Sequence, residues 1–334
     1  MKTNRVLVTG GCGFIGSALV RELVAKQYRV TVLDALTYAG VRENLAGVAS
    51  PEQLDVVVGD IGDAELVQQL FNEHSFSAVF HLAAETHVDR SISNASPFIT
   101  TNVLGTYTLL AATLKHWQQM HGEAQERFRF IQVSTDEVFG TLGPTGCFTE
   151  DSPYAPRSPY AASKASADHL AAAWHHTFGL PVITTYCGNN YGPRQYPEKF
   201  IPLTIKRALS GSAIPVYGSG ENVRDWVHVD DHANGLIAAF ERGTAGSTYC
   251  FGARNELTNL EVLRSVCAAL DVLRPRSGGA KYEELATFVE DRLGHDWRYA
   301  IDPSKAAREL GFSPKHTLQT SISQVVRHYV ENQL

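Results

Sequence analysis

The chain has 334 residues, enough for one large or two moderate domains with a sizeable buried core. Hydrophobic residues make up 44% and charged residues 19%, a globular balance that excludes a disordered chain. Lys and Arg number 29 against 35 Asp and Glu, a net charge of −6 without any basic run, which argues against a nucleic-acid partner.

No stretch approaches ~18 uninterrupted apolar residues, so no membrane association is expected, and the N-terminus carries no leader-like segment. Cys12, Cys147, Cys187, Cys250 and Cys267 are scattered and form no C-x-x-C pair. They read as reduced thiols of a cytoplasmic protein rather than as disulfides or zinc ligands.

RVLVT (5–9) is the first strand. It runs straight into TGGCGFIGSALV, where Gly10, Gly13 and Gly16 space a G-x-x-G-x-x-G pattern at the head of a helix. Small residues there let the backbone turn tightly and approach a pyrophosphate, whose charge meets the helix N-terminus. RVTVLD (29–34) is the second strand and ends on Asp34. An acid at that place can accept from both hydroxyls of an adenosine ribose and repels a 2′-phosphate, so NAD is the expected dinucleotide. Phe14 and Ile15 beside the first turn, and Ala35, Leu36 and Thr37 beside the second, belong to the same expected site.

LDVVVGD (54–60) is a third strand, and its terminal Asp60, followed by Ile61, could accept from an adenine amino group. DAELVQQLFNEH has helical spacing. SAVFHLAA (77–84) is the fourth strand; Leu82, Ala83, Ala84 and then Thr86 line its C-terminal end, where small side chains admit a dinucleotide. His81 and His87 have no third ligand at a suitable spacing, so both are read as packed or hydrogen-bonded and no metal is expected. NVLGTYTLLAATLKHW (102–117), entered from Thr101, is a helix. FRFIQVST (128–135) is the fifth strand and leads into Thr135, Asp136 and Glu137, two carboxylates side by side at a strand end.

SPYAASKASADHLAAAWHHTFG is a helix carrying Tyr160 and Lys164, i and i+4 on one face. The ammonium is expected to lower the phenol's pKa and make Tyr160 a usable base. LPVITTYC (180–187) is the sixth strand. These runs are continuous rather than alternating, as in strands covered on both faces, and the βαβα order implies a Rossmann-type doubly wound parallel sheet over residues 1–190. Pro193, Pro197, Pro202 and Pro215 then break up the chain. Residues 191–334 are expected to form a smaller C-terminal α/β lobe that binds substrate, with a chain that could cross between lobes more than once.

TGGCGFIG together with YAASK resembles the extended short-chain dehydrogenase/reductase superfamily. More narrowly, STDEVFG, HLAAETHVDRSI, NNYGPRQYPEKFIP, VYGSGENVRDWVHVDDHA and DRLGHDWRYAID resemble the dTDP-glucose 4,6-dehydratase family. The resemblance runs from residue 4 to about residue 330, and the TDE triplet separates dehydratases from epimerases of the same fold. It implies that Tyr160 takes the 4-hydroxyl proton while hydride passes from carbon 4 to NAD. Glu137 would then remove the carbon 5 proton, Asp136 would protonate the departing 6-hydroxyl, and Thr135 would hold the 4-oxygen. Such a pair needs Asp136 protonated while Glu137 is ionised.

The same resemblance places Thr86 and Asn189 at the sugar nucleotide, Asn190 on the nicotinamide side and Arg224 at the diphosphate. Lys199, Phe200, Pro215, Val216, Tyr217 and Asn259 fall in substrate-contacting segments, with Tyr217 able to stack on the pyrimidine. So does the run Asp291, Arg292, Leu293, Gly294 and His295. Helices 102–117 and 160–177, with Leu109, Leu110, Leu114, Leu170 and Trp174, would pair across a two-fold axis into the four-helix bundle of a homodimer. The product, dTDP-4-keto-6-deoxyglucose, would feed deoxysugar biosynthesis of the rhamnose type. The rivals are a UDP-sugar 4,6-dehydratase, epimerase or decarboxylase on the same scaffold, and a catalytically silent NAD-binding regulator. Asp136 and Glu137 argue against an epimerase, and the intact set with Tyr160 and Lys164 argues against a silent sensor.

Overall fold

Seven parallel strands form one sheet, in the order β10–β6–β5–β4–β1–β2–β3. They are β1 (Arg5–Thr9), β2 (Arg29–Asp34), β3 (Leu54–Val58), β4 (Phe76–His81), β5 (Arg129–Val133), β6 (Val182–Cys187) and β10 (Thr248–Phe251). The computed structural model describes residues 4–48, 53–291 and 294–332; Arg292 and Leu293, expected at the nucleotide, lie outside the described residues. The strands read as unbroken apolar runs because helices cover both faces. Val6, Val8, Val30, Val32 and Phe80 pack with helices Phe14–Ala25 and Val229–Arg242. Leu7, Leu33, Val79 and Phe130 pack with helices Ala64–Glu73 and Thr106–Gln118. Val8 lies opposite Val32 on one side and Phe80 on the other. The strand order reverses at β1, so the chain leaves β1 and β4 in diverging directions and opens a crevice at their C-terminal ends.

The edges of these elements differ from the sequence expectation in informative places. β3 stops at Val58, two residues early, because Asp60 turns back to accept from the Gly62 amide at 2.7 Å. It is an edge strand, with Val58 49% exposed. The helix expected at 102–117 begins earlier, as a π-helical turn over Ile99–Gly105. Gly105 is needed there, since a Cβ would sit 2.7 Å from Ile61 Cδ1. Leu109 and Leu110, expected on a pairing face, are instead fully buried against the sheet.

β10 was not anticipated. Four residues are too few to show a period, and they become a strand because β6 offers an unpaired edge, with Thr248 opposite Thr184. Helices Val229–Arg242 and Ser304–Leu310 also pack on the sheet half, so the chain crosses back after residue 190. The remainder forms the small lobe. Its strands are β7 (Asn189–Tyr191), β9 (Val223–His228) and β11 (Glu256–Thr258) in one sheet, and β8 (Ile214–Tyr217) with β12 (Ala286–Val289) in another. Trp226, Tyr191, Ile205, Val266 and Val325 form its core beneath helices Phe200–Leu209, Asn259–Leu273 and Leu318–Glu331. Among the described residues, no helix is long and apolar enough to cross a membrane.

Candidate active site

The turn after β1 allows a backbone approach that side chains would block. Gly10 has φ +70°, and a Cβ on Gly16 would lie 2.1 Å from the Gly10 carbonyl oxygen. Gly13 N-caps helix Phe14–Ala25 and brings no side chain to its first amides. That combination is a cradle for a phosphate. Asp34 ends β2 with its carboxylate fixed: Oδ2 accepts from the Cys12 amide at 2.8 Å and Oδ1 from the Leu36 amide at 2.9 Å. Each oxygen keeps further acceptor capacity toward the cleft.

A cleft of about 340 Å³ runs from this cradle to the end of β5. At the dinucleotide end it is lined by Gly10, Gly13, Phe14, Ile15 and Gly16, then Asp34, Ala35 and Thr37. Asp60, Ile61, Leu82, Ala83, Ala84, Thr86 and Thr101 follow. Leu36 is not among the lining residues; it sits at φ +49° and serves Asp34 through its amide. The far end is lined by Thr135, Asp136, Glu137, Tyr160, Lys164, Asn189, Asn190 and Lys199. A recessed glycine cradle, an oriented carboxylate and an elongated cleft fit a dinucleotide such as NAD. Tyr38, Glu85, Gln195, Tyr196, Glu198 and His232 also line the cleft and were not singled out by sequence reasoning. The only prior signal was their position, Tyr38 just beyond Asp34 and Tyr196 to Glu198 just before Lys199.

Thr135 caps the 3-10 turn Asp136–Phe139: its hydroxyl accepts from the Glu137 amide and donates to Asp136 Oδ1, each at 3.3 Å. Asp136 is 2% exposed, and its Oδ2 has no partner among the described residues. Burial, and then the charge of Glu137, push its carboxyl well above the usual carboxylate range, against the pull of Arg224. That shift favours the protonated form of Asp136, while half-buried Glu137 lines the cleft beside it.

Tyr160 lies in the first turn of helix Pro159–Phe178, which Ser158 N-caps by accepting from the Ala161 amide. Tyr160 lines the same cleft as Thr135. The expected lowering of its pKa is not what the protein alone produces. Burial, and then Glu137, push the phenol well above its ordinary value. Lys164 shares the helix face, but its Nζ donates to the Val133 carbonyl at 2.7 Å and its charge is balanced by Asp168. Asp168 is itself raised to about 6 by burial, opposed by Lys164 and by hydrogen bonds from Ser134 and Gln132. His81 is packed, bonded to Thr9 and Thr106 at 2.8 Å each, and burial lowers it to about 3. His87 faces Glu198 at 3.6 Å.

The substrate-side residues divide. Asn189 and Lys199 line the cleft, and Lys199 Nζ donates to the Thr86 carbonyl at 3.0 Å. Asn190 is tied internally: Nδ2 reaches Gly188 O at 3.1 Å and Oδ1 meets His232 Nδ1 at 3.0 Å. Arg224, Phe200, Pro215, Val216, Tyr217, Asn259, Asp291, Gly294 and His295 are outside this cleft's lining. Arg224 is 7% exposed, stacks 4.3 Å from the Tyr299 ring centroid and donates to the carbonyls of Val223 and Asp296. Phe200 packs against Trp226 in the small lobe's core. Asp291 pairs with His295 at 2.6 Å, and its carboxylate would meet a Cβ on Gly218 at 2.8 Å. Strand β8 and the segment around His295 are thereby neighbours, although more than 70 residues apart in the chain.

A profile of the family described as GDP-mannose 4,6 dehydratase matches residues 7–325. A dTDP-glucose 4,6-dehydratase of Xanthomonas campestris pv. campestris is 51% identical over 327 residues, 98% of this chain and 93% of the relative. A crystal structure of dTDP-glucose 4,6-dehydratase from Streptomyces venezuelae, with NAD bound, superposes with a TM-score of 0.89 at 46% identity, covering 98% of both chains. A UDP-glucose 4-epimerase of Thermus thermophilus in complex with NAD superposes at 0.85 with 31% identity, covering 98% of this chain and 99% of that one.

Proposed function

From the premise that the chain belongs to the nucleotide-sugar 4,6-dehydratase family, we propose that it converts dTDP-glucose to dTDP-4-keto-6-deoxyglucose with recycled NAD. The observation that carries this reading is the end of β5. A buried Asp136, its carboxyl pushed well above the usual carboxylate range, sits beside Glu137 in the same cleft as Tyr160. Elimination of water needs a proton donor and a proton acceptor a few ångströms apart, and an epimerase has no step that uses both.

The glycine turn, Asp34 and the strand ends at Asp60 and Ala83 would hold the dinucleotide. When bound, NAD would supply the hydride acceptor for carbon 4, the hydride donor for carbon 6, and a positive nicotinamide ring that would favour the phenolate of Tyr160. Tyr160 accepts the 4-hydroxyl proton, with Thr135 holding the same oxygen. Lys164, anchored on the Val133 carbonyl, supplies fixed positive charge behind the phenol. The 4-keto group acidifies carbon 5, Glu137 removes that proton, and Asp136 gives its own to the leaving 6-hydroxyl. Lys199 and Asn189 would meet the sugar nucleotide in the cleft. Purified protein given dTDP-glucose should yield a 4-keto-6-deoxy sugar without net NADH. Steady NADH formation, stoichiometric with product, would instead mark a simple dehydrogenase.

The assembly proposed is a homodimer. Leu104 (56% exposed), Tyr107 (50%) and Phe178 (45%) leave an apolar surface on and around helices Thr106–Gln118 and Pro159–Phe178. Tyr107 and Trp174 meet edge to face there, 5.8 Å between centroids, and so join the two helices into one face. Isologous pairing of that face gives a four-helix bundle. Light scattering at micromolar concentration should report twice the chain mass, and Leu104→Glu with Tyr107→Lys should shift it toward one.

A further inference from the structure

We propose that Arg90, Tyr38 and Glu198 form a bolt across the mouth of the cleft that retains the dinucleotide between the two hydride transfers. The inference rests on the recycled-cofactor reading above. A recycled cofactor must outlast the oxidised sugar intermediate, since loss of the reduced form would strand a ketone that nothing can reduce. Cofactor release therefore has to be slow compared with turnover, and something in the chain must make it so.

One cluster of contacts between the two halves lies beside the cleft. On the sheet side stand Tyr38, Thr86, His87 and Arg90; on the small-lobe side stand Tyr196, Glu198 and Lys199. Glu198 Oε2 accepts from Arg90 Nη2 at 3.1 Å and lies 3.6 Å from His87 Nε2. The Arg90 guanidinium is 3.9 Å from the centroid of the Tyr38 ring, and Tyr38 meets Tyr196 edge to face at 5.6 Å. Lys199 adds its bond to the Thr86 carbonyl. Tyr38, Tyr196 and Glu198 all line the cleft, so this cluster stands over its contents. Tyr38 follows Asp34 by four residues, which sets one end of the bolt near the adenosine-ribose site, while Lys199 continues the cluster toward the far end of the cleft.

The pair differs from an ordinary surface ion pair. The Glu198 side chain is only 14% exposed, and its Oε1 is buried with no partner among the described residues. That oxygen is an acceptor left for a hydroxyl donor on the ligand. The arginine is held flat by a ring, which fixes its donors in direction. The Arg90 side chain is 50% exposed, so it is removal of Arg90 that leaves a mostly buried charge, Glu198, uncompensated, and such losses appear in the dissociation rate.

The test uses holoenzyme loaded with radiolabelled NAD and chased with excess unlabelled NAD. Glu198→Gln and Arg90→Met should each release label about tenfold faster or more. The double variant should be no more than about twofold faster than the quicker single, because both lose one shared contact. Tyr38→Phe, which keeps the ring, should stay within about threefold of wild type, whereas Arg90→Lys, which keeps the charge but loses the planar group stacked on that ring, should release label faster than wild type. Unchanged release in both single variants overturns the bolt, and so does a double variant whose acceleration equals the product of the two. Slow release by wild type without any keto-sugar product would overturn the functional reading and leave the bolt standing.

Discussion

Glu137→Gln should still reduce bound NAD when dTDP-glucose is added, then stop without exchanging the carbon 5 proton for solvent deuterium. The amide keeps the shape and loses the base. Asp136→Asn should stop as well, yet allow that exchange, because Glu137 remains. Each should lower product formation by roughly 10² to 10⁴, the range for a positioned acid or base. Exchange at the wild-type rate in Glu137→Gln would place the base elsewhere.

Asp136 also carries a stability effect of opposite sign. Asp136 has a folded pKa raised by burial and by Glu137, so the folded protein binds its proton more tightly than the unfolded chain does. Folding is penalised progressively as pH rises from the unfolded value, about 4, to the folded one. Asp136→Asn removes a carboxyl that resists burial without changing its size. Its Tm should exceed that of wild type at pH 7, and the gain should disappear below about pH 4. An inactive variant that melts higher would show strain kept for chemistry.

Tyr160→Phe should slow the first half-reaction about a hundredfold or more, a barrier increase of roughly 2.7 kcal/mol, read as the rate of NAD reduction on mixing with substrate. Burial and Glu137 both hold the Tyr160 proton on, so the phenol acts as base only against added positive charge. Lys164→Met removes one such charge and should move the rising limb of the rate profile to higher pH. If that limb stays in place, Lys164 serves only to anchor helix Pro159–Phe178 to the end of β5.

Much of this was readable from local patterns, because their causes are local. A glycine at position 16 is required by a carbonyl six residues earlier. Asp34 ends a strand and is oriented by backbone amides at Cys12 and Leu36. Tyr160 and Lys164 share a helix face through spacing alone, and Asp136 and Glu137 are adjacent by covalent connection. The continuous apolar strands announced a covered sheet, and the family motifs along most of the chain agreed with it. Contacts between distant segments were different. β10 exists because β6 has a free edge, which four residues could not declare. Arg224, expected at a diphosphate, is oriented by carbonyls more than 70 residues away and by the Tyr299 ring. The sign of the shift at Tyr160 came from burial and from Glu137, 23 residues off, and not from the lysine one turn away. Arg90 and Glu198 meet across 108 residues. Propensity, turn chemistry and helical spacing act within a few residues and leave their mark in order along the chain. Desolvation and inter-lobe pairing depend on which surfaces the fold brings together, and no local pattern records them.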